Sequence, residues 1–270
     1  MGDLRALRAA RARDLRAAGR LQQALLPKRF CDFGAARVSL LLRSCSEVGG
    51  DLVGHYPIGR GRIGLYALDV SGHGVSAAML TARLHGLLSG AVPEQNVALR
   101  RGPGGEILPR RPHEAAARLN RQLIEGLGAD HYMTLLLGDL DLAAGRLSLV
   151  QAGHPHPALI RPDGAIRFLG EGGLPIGLVA DAAFRTVELC LSPGDRLLVY
   201  SDGMTECPAP GGRMVGEDGL ARLIARHAGL SGPAFLGALA GDLCRDAGAV
   251  LPDDMSALLL EYDGPGGSRS

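Results

Sequence analysis

An excess of charge of either sign, a paired set of cysteines and a long apolar run are all missing from this 270-residue chain. Lysine and arginine number 29 against 28 aspartates and glutamates, a formal charge of +1, so no global field steers it toward nucleic acid or a membrane surface. A nucleic-acid partner is not expected. The five cysteines (Cys31, Cys45, Cys190, Cys207 and Cys244) are odd in number and scattered, without CxxC or zinc-ligand spacing. That excludes a disulfide framework and points to reduced thiols in a cytoplasmic protein. No stretch approaches the roughly 18 uncharged residues of a membrane span, and the Arg-rich start lacks the apolar core of an export signal. Lys28 is the single lysine, a bias from which no chemistry follows. A GxSxG elbow is absent, which leaves Ser71 and Ser201 poor candidates for a serine hydrolase.

What is present is 46 % hydrophobic content, ample for one main domain. Leu4, Leu7, Leu15, Ala18, Leu21 and Leu25 recur at helical spacing and Pro27 supplies a stop, so residues 1–26 read as a helix ahead of a domain spanning 27–262. The Gly-rich end, 263–270, reads as a disordered tail. Within the domain, RVSLLLRS, RIGLYALDV, FRTVELCL, DRLLVYS and SALLLEY have strand character. HYMTLLLGDLD, GRLSLVQAG, PALIRP and AIRFLG read as an antiparallel meander. Helices are predicted over 76–88, 113–127, 217–228 and 233–246, and the aperiodic segment 92–112 as a mobile loop or flap. Strands come in batches and helices in pairs, unlike the alternation of a doubly wound sheet. The fold class is therefore α+β: two packed antiparallel sheets flanked by helices, an α-β-β-α sandwich, preceded by the N-terminal helix.

Four aspartates stand beside apolar runs: Asp51 in SEVGGD, Asp69 in LYALDVSGHG, Asp202 in LLVYSDGMTE and Asp253 in LPDDMSALLL. Any one of them could simply make a turn or cap a helix. Together, near apolar walls, such charges are costly unless paired or metal-bound. Oxygen-only ligands favour hard cations, so Mg²⁺ or Mn²⁺ is expected. Two such ions roughly 3.5–4 Å apart can acidify a shared water and stabilise in-line displacement at phosphorus. Gly49, Gly50, Gly72, Gly74 and Gly203 would let backbone approach the ions and a phosphate.

The motifs SEVGGD, LDVSGHGVSAAML, YMTLLLGDLD, AGHPHPALI, LPIGL, LSPGDRLLVYSDGMTE and DDMSALLLEY resemble, in order, the bacterial PPM-type metal-dependent serine/threonine protein phosphatases of the stage II sporulation protein E class. The resemblance covers about residues 20–262. It implies that Asp69 bridges two ions, that the Val70 carbonyl binds one, and that Asp202 and Asp253 complete the shell of the second. Asp51 would act on water or on an accessory third ion, with Asp254 beside the ligands. Where the family has a further acidic residue three positions after the GGD aspartate, this chain has Gly54 and then His55, which leaves the accessory ion open. The implied reaction is attack of a metal-bridging hydroxide on a phosphoserine or phosphothreonine, with His73 as the candidate acid. His154 and His156 read as turn-formers, and Arg43 as a candidate phosphate contact. The implied substrate is a phosphorylated bacterial regulator such as an anti-sigma-factor antagonist. The helix 1–26 would serve regulation, through a homodimer or a sensor partner. The competing expectation is a catalytically weak pseudophosphatase acting as a signalling scaffold.

Overall fold

The computed structural model describes residues 13, 17, 19, 20, 22, 27–59, 61–72, 74–127, 131–209, 211–247 and 251–267. His73 and most of the predicted helix 1–26 lie outside these, although Arg13, Ala17, Gly19, Arg20 and Gln22 are helical. One sheet has the order β1 (Phe30–Asp32), β2 (Ala36–Arg43), β13 (Met255–Tyr262), β12 (Arg196–Tyr200), β9 (Ala158–Ile160), β10 (Ile166–Phe168). The other runs β11 (Thr186–Cys190), β8 (Arg146–Ala152), β7 (Met133–Asp141), β4 (Arg62–Val70), β3 (Asp51–Gly59). Every named pairing in both is antiparallel.

Three apolar layers hold the sandwich. Val38, Leu197, Val199, Leu258 and Leu260 from the first sheet meet Val53, Leu65, Ala67, Leu136 and Leu149 from the second. The outer face of the second sheet packs under α1 (Val75–Leu88) and α2 (Pro112–Gln122), through Leu80, Leu84, Ala116 and Leu119. The outer face of the first packs under α3 (Gly216–Arg226) and α4 (Gly232–Ala247). Leu220, Leu223 and Ile224 of α3 are buried at the i, i+3, i+4 spacing of one helical stripe. All eight residues of β13 are buried, as befits a strand with neighbours on both edges and packing on both faces. The α+β architecture is thus the α-β-β-α layering expected from the sequence.

Three local expectations change. The meander divides after β8: β7 and β8 pair in one sheet, whereas β9 and β10 pair in the other. Gly153, with φ 69°, and buried His154 stand where the chain crosses between them. The segment 92–112 is also more than a loop. It carries the hairpin β5 (Leu99–Arg101) and β6 (Ile107–Pro109), with Val97, Ala98 and Leu99 anchored in the core under α1. The helix expected over 113–127 is α-helical to Gln122 and widens into π-type turns over Leu123–Leu127. At the C-terminal end, the Asp263 carboxylate accepts two bonds from Arg37 and Gly264 N donates to Ala35 O, while 268–270 lie outside the described residues.

Candidate metal centre

The pairing of β3 with β4 places Asp51 directly opposite Asp69 at one end of the second sheet. The turn Asp202–Met204 follows the end of β12, and Asp253 and Asp254 precede β13, its neighbour. Gly50 N donates to Asp254 Oδ2 at 2.8 Å, joining the two sheets at this end. Four acidic sites far apart in sequence are thereby brought to one end of the sandwich.

Their electrostatics are those of crowded carboxylates. Asp51 is 2 % exposed, and its Oδ2 is buried without a completed hydrogen bond. Burial, then the charge of Asp69, push its carboxyl well above the usual range, opposed by the nearby hydroxyls of Ser201 and Ser256. Asp69 is pushed up to about 7, first by burial and then by Asp202 and Asp253, with a hydrogen bond to Asp51 opposing the shift. Asp202 is raised too, by burial, Asp253 and Glu206. Like charges at such range disfavour joint ionisation, and a cation reverses that preference.

Glycines bring the backbone close to these oxygens. A Cβ on Gly50 would lie 2.7 Å from Val70 O, 3.3 Å from Asp69 Oδ1 and 3.5 Å from Gly72 O, so only glycine lets this loop pack so closely against the three oxygens. A Cβ on Gly203 would overlap the Asp254 carbonyl oxygen. The aspartates and the Val70 carbonyl offer oxygens alone, which suits Mg²⁺ or Mn²⁺. The residues therefore fit a hard divalent ion.

Asp254 has a different task from Asp253. Its Oδ1 accepts from Cys45 N at 2.8 Å while Oδ2 takes Gly50 N, so it braces the loop that delivers Asp51. Asp253 is exposed and faces Asp69 and Asp202. Among the described residues, the tightest cluster of potential ligand atoms joins Cys45, Asp253 and Asp254, all within 4.8 Å of one another. Among the described residues, no group of three potential ligands that includes Asp51, Asp69 or Asp202 comes within that distance. Cys45 keeps its thiol proton, pushed up to about 11 by burial and by Asp254.

Other sequence candidates fall elsewhere. Gly54 lies three residues along β3 from Asp51, on the opposite face, where a Cβ would strike the Tyr66 ring. An acidic side chain there could not reach this cluster. His55 Nε2 meets Lys28 O at 3.2 Å, and Arg43 donates to Cys244 Sγ at 3.3 Å rather than standing free. His154 is buried against Thr134 Oγ1 at 2.9 Å, and His156 pairs with Glu217 at 2.9 Å. Two residues escaped sequence reasoning. His131 Nδ1 lies 2.9 Å from Ser71 O, on the loop that leads from Asp69, and Gln22 binds the backbone of Gly49. Neither sits in a motif with chemistry of its own, so no local signal marked them.

Residues 59–263, well over half of the chain, match the stage II sporulation protein E (SpoIIE) family. The chain belongs to that family. It is 34 % identical over 166 residues to the phosphoserine phosphatase RsbP of Bacillus subtilis, covering 60 % of this chain but 38 % of RsbP. It is 22 % identical over 248 residues to the phosphoserine phosphatase RsbU of the same organism, covering 92 % of this chain and 69 % of RsbU. Among solved structures, the SiaA-PP2C domain of Pseudomonas aeruginosa superposes with a TM-score of 0.79 at 21 % identity, covering 96 % of this chain and 99 % of that domain. The SpoIIE-family chain thus has the PP2C fold. Among the described residues, no helix is long and apolar enough to cross a membrane.

Proposed function

We propose that this chain is a metal-dependent phosphoserine/phosphothreonine protein phosphatase. The observation that carries the reading is Asp69, lifted to about 7 among Asp51, Asp202 and Asp253 and standing with the Val70 carbonyl against Gly50, where only glycine fits. Likeness to RsbP and RsbU, both phosphoserine phosphatases, supports it.

Asp69, the Val70 carbonyl, Asp202 and Asp253 would hold two Mn²⁺ or Mg²⁺ ions, with Asp51 beside them or on a third. When bound, such ions offset charge on the phosphoryl oxygens and acidify a water, the two things phosphoester hydrolysis requires. Asp51 braces Asp69 through their hydrogen bond and keeps a buried oxygen without a partner of its own. Asp254 and Thr81 fix Gly50 from both sides, Thr81 Oγ1 donating to Gly50 O at 3.1 Å. His131 steadies the Ser71 carbonyl and with it the loop bearing His73, our candidate proton donor to the leaving oxygen. The scaffold alternative drew on Gly54, and a residue facing Tyr66 on the far side of β3 does not weaken the acidic cluster.

The substrate would be a phosphorylated bacterial regulator, an anti-sigma-factor antagonist being the expected kind, met in the cytoplasm. The helix before Pro27 would join a second copy or a sensor. Hydrolysis of p-nitrophenyl phosphate during a Mn²⁺ titration tests the activity: saturable turnover abolished by EDTA is expected. Folded protein that neither binds Mn²⁺ nor turns over the ester would leave only the scaffold role.

A further inference from the structure

A groove of about 980 Å³ opens between α3 and the residues beside the Pro208–Met214 bridge. It hangs from the turn that carries Asp202: Thr205 N donates to Asp202 O at 2.8 Å, and Thr205 O accepts from Gly216 N, the first residue of α3, at 2.8 Å. The start of α3 is thus tied by backbone hydrogen bonds to the turn that carries Asp202.

Three arginines, Arg213, Arg222 and Arg226, line the groove against two acids, Glu217 and Asp218. Arg213 and Arg222 are exposed and form no ion pair among the described residues, and Arg226 shares the single carboxylate of Asp242 with His227 and Arg245. Glu217 meets His156, and Asp218 lies in the first turn of α3, where exposed backbone N–H groups favour negative charge. Met214 is 65 % exposed at the hairpin, a flexible apolar contact of the kind used on adaptable binding surfaces.

We propose that this groove docks the polypeptide flanking the phosphorylated residue, and that Arg213 and Arg222 select flanking segments rich in aspartate and glutamate. The proposal rests on the phosphatase reading above and adds a substrate class to it. Guanidinium groups at a rim attract carboxylates over about a Debye length, so they act on capture and on KM rather than on the chemical step. A small phosphoester has no flanking residues to reach them.

The test compares three substrates with Mn²⁺: p-nitrophenyl phosphate and two synthetic phosphoserine peptides of equal length, flanked by glutamates or by lysines. The wild-type chain should favour the glutamate peptide in kcat/KM by about tenfold at low salt, with the preference shrinking as NaCl is raised. Arg213→Glu/Arg222→Glu should raise KM for that peptide by about tenfold and erase or invert the preference, with p-nitrophenyl phosphate turnover within about twofold of wild type. Arg213→Lys/Arg222→Lys should retain most of the preference. Equal kcat/KM for the two peptides in the wild type, or a preference that survives charge reversal, overturns the docking role while leaving the phosphatase reading intact. No turnover of any of the three removes that reading, and the groove's role with it.

Discussion

Gln22 and Gly49 exchange two hydrogen bonds: the Gln22 amide donates from Nε2 to Gly49 O at 2.7 Å and accepts at Oε1 from Gly49 N at 3.1 Å. Gln22 is buried, and Gly49 stands two residues before Asp51. The helix before the domain thereby touches the loop that sets one wall of the acidic cluster. Gly19 allows the same approach, since a Cβ there would run into the Glu47 carbonyl.

Replacing Gln22 by alanine leaves two buried backbone groups unpaired, at roughly 1–3 kcal/mol for each group left dry. We expect Gln22→Ala to weaken Mn²⁺ affinity and slow turnover while the far-UV CD spectrum stays near wild type. Unchanged Mn²⁺ affinity and rate would show that the contact does not govern the site.

Asp69→Asn removes one charge from a crowded group. Without metal, the variant should be more stable than wild type by on the order of 1 kcal/mol, about 2–4 °C in Tm, because like charges no longer oppose one another. The rise in Tm that Mn²⁺ brings to the wild type should largely vanish. Calorimetry with EDTA and with Mn²⁺ checks both signs. Asp202→Ala should lower turnover by at least ~100-fold at saturating Mn²⁺.

Gly50→Ala puts a methyl group among three oxygens, the nearest being Val70 O at 2.7 Å. Mn²⁺ binding, read by isothermal titration, should weaken at least ~10-fold as the loop shifts to relieve the contact. Affinity equal to wild type would mean that Val70 O and Asp69 do not jointly face the ion.

His154 provides a pH signature away from the cluster. Burial pushes its imidazole down to about 3, so the folded chain keeps it neutral where the unfolded chain, near 6.5, binds a proton. Stability from this group is therefore full above pH 6.5 and falls as pH drops from 6.5 toward 3, by up to ~1.4 kcal/mol per pH unit. His154→Gln should flatten that part of the curve. Urea midpoints between pH 7 and 5 measure the difference, and identical slopes would contradict a neutral buried imidazole.

Much of the fold was legible along the chain because its elements carry strong local periods. β4, β7, β8, β12 and β13 coincide with apolar runs, and α3 with a helical stripe. β3 was harder to see, since Gly54, His55 and Pro57 interrupt its pattern and its burial comes from both faces, Leu52, Tyr56 and Ile58 on the helix side and Val53 between the sheets. The crossing from β8 to β9 was illegible as well. A turn with Gly153 and two prolines looks the same whether the next strand joins the same sheet or the opposite one.

The residue types themselves determined which chemistry was available here: hard oxygen donors next to glycines, with no soft-metal or disulfide set to compete. Only the tertiary structure decided how that chemistry is divided. Asp253 and Asp254 are neighbours in sequence, yet one faces Asp69 and Asp202 while the other holds Cys45 N and Gly50 N. The register that sets Asp51 opposite Asp69 and the coupling of Gln22 to Gly49 are likewise long-range. Local propensity acts over a few residues, whereas these contacts need, in turn, the register of two paired strands, the joining of the two sheets at Gly50 and Asp254, and the docking of the preceding helix on the Gly49 loop.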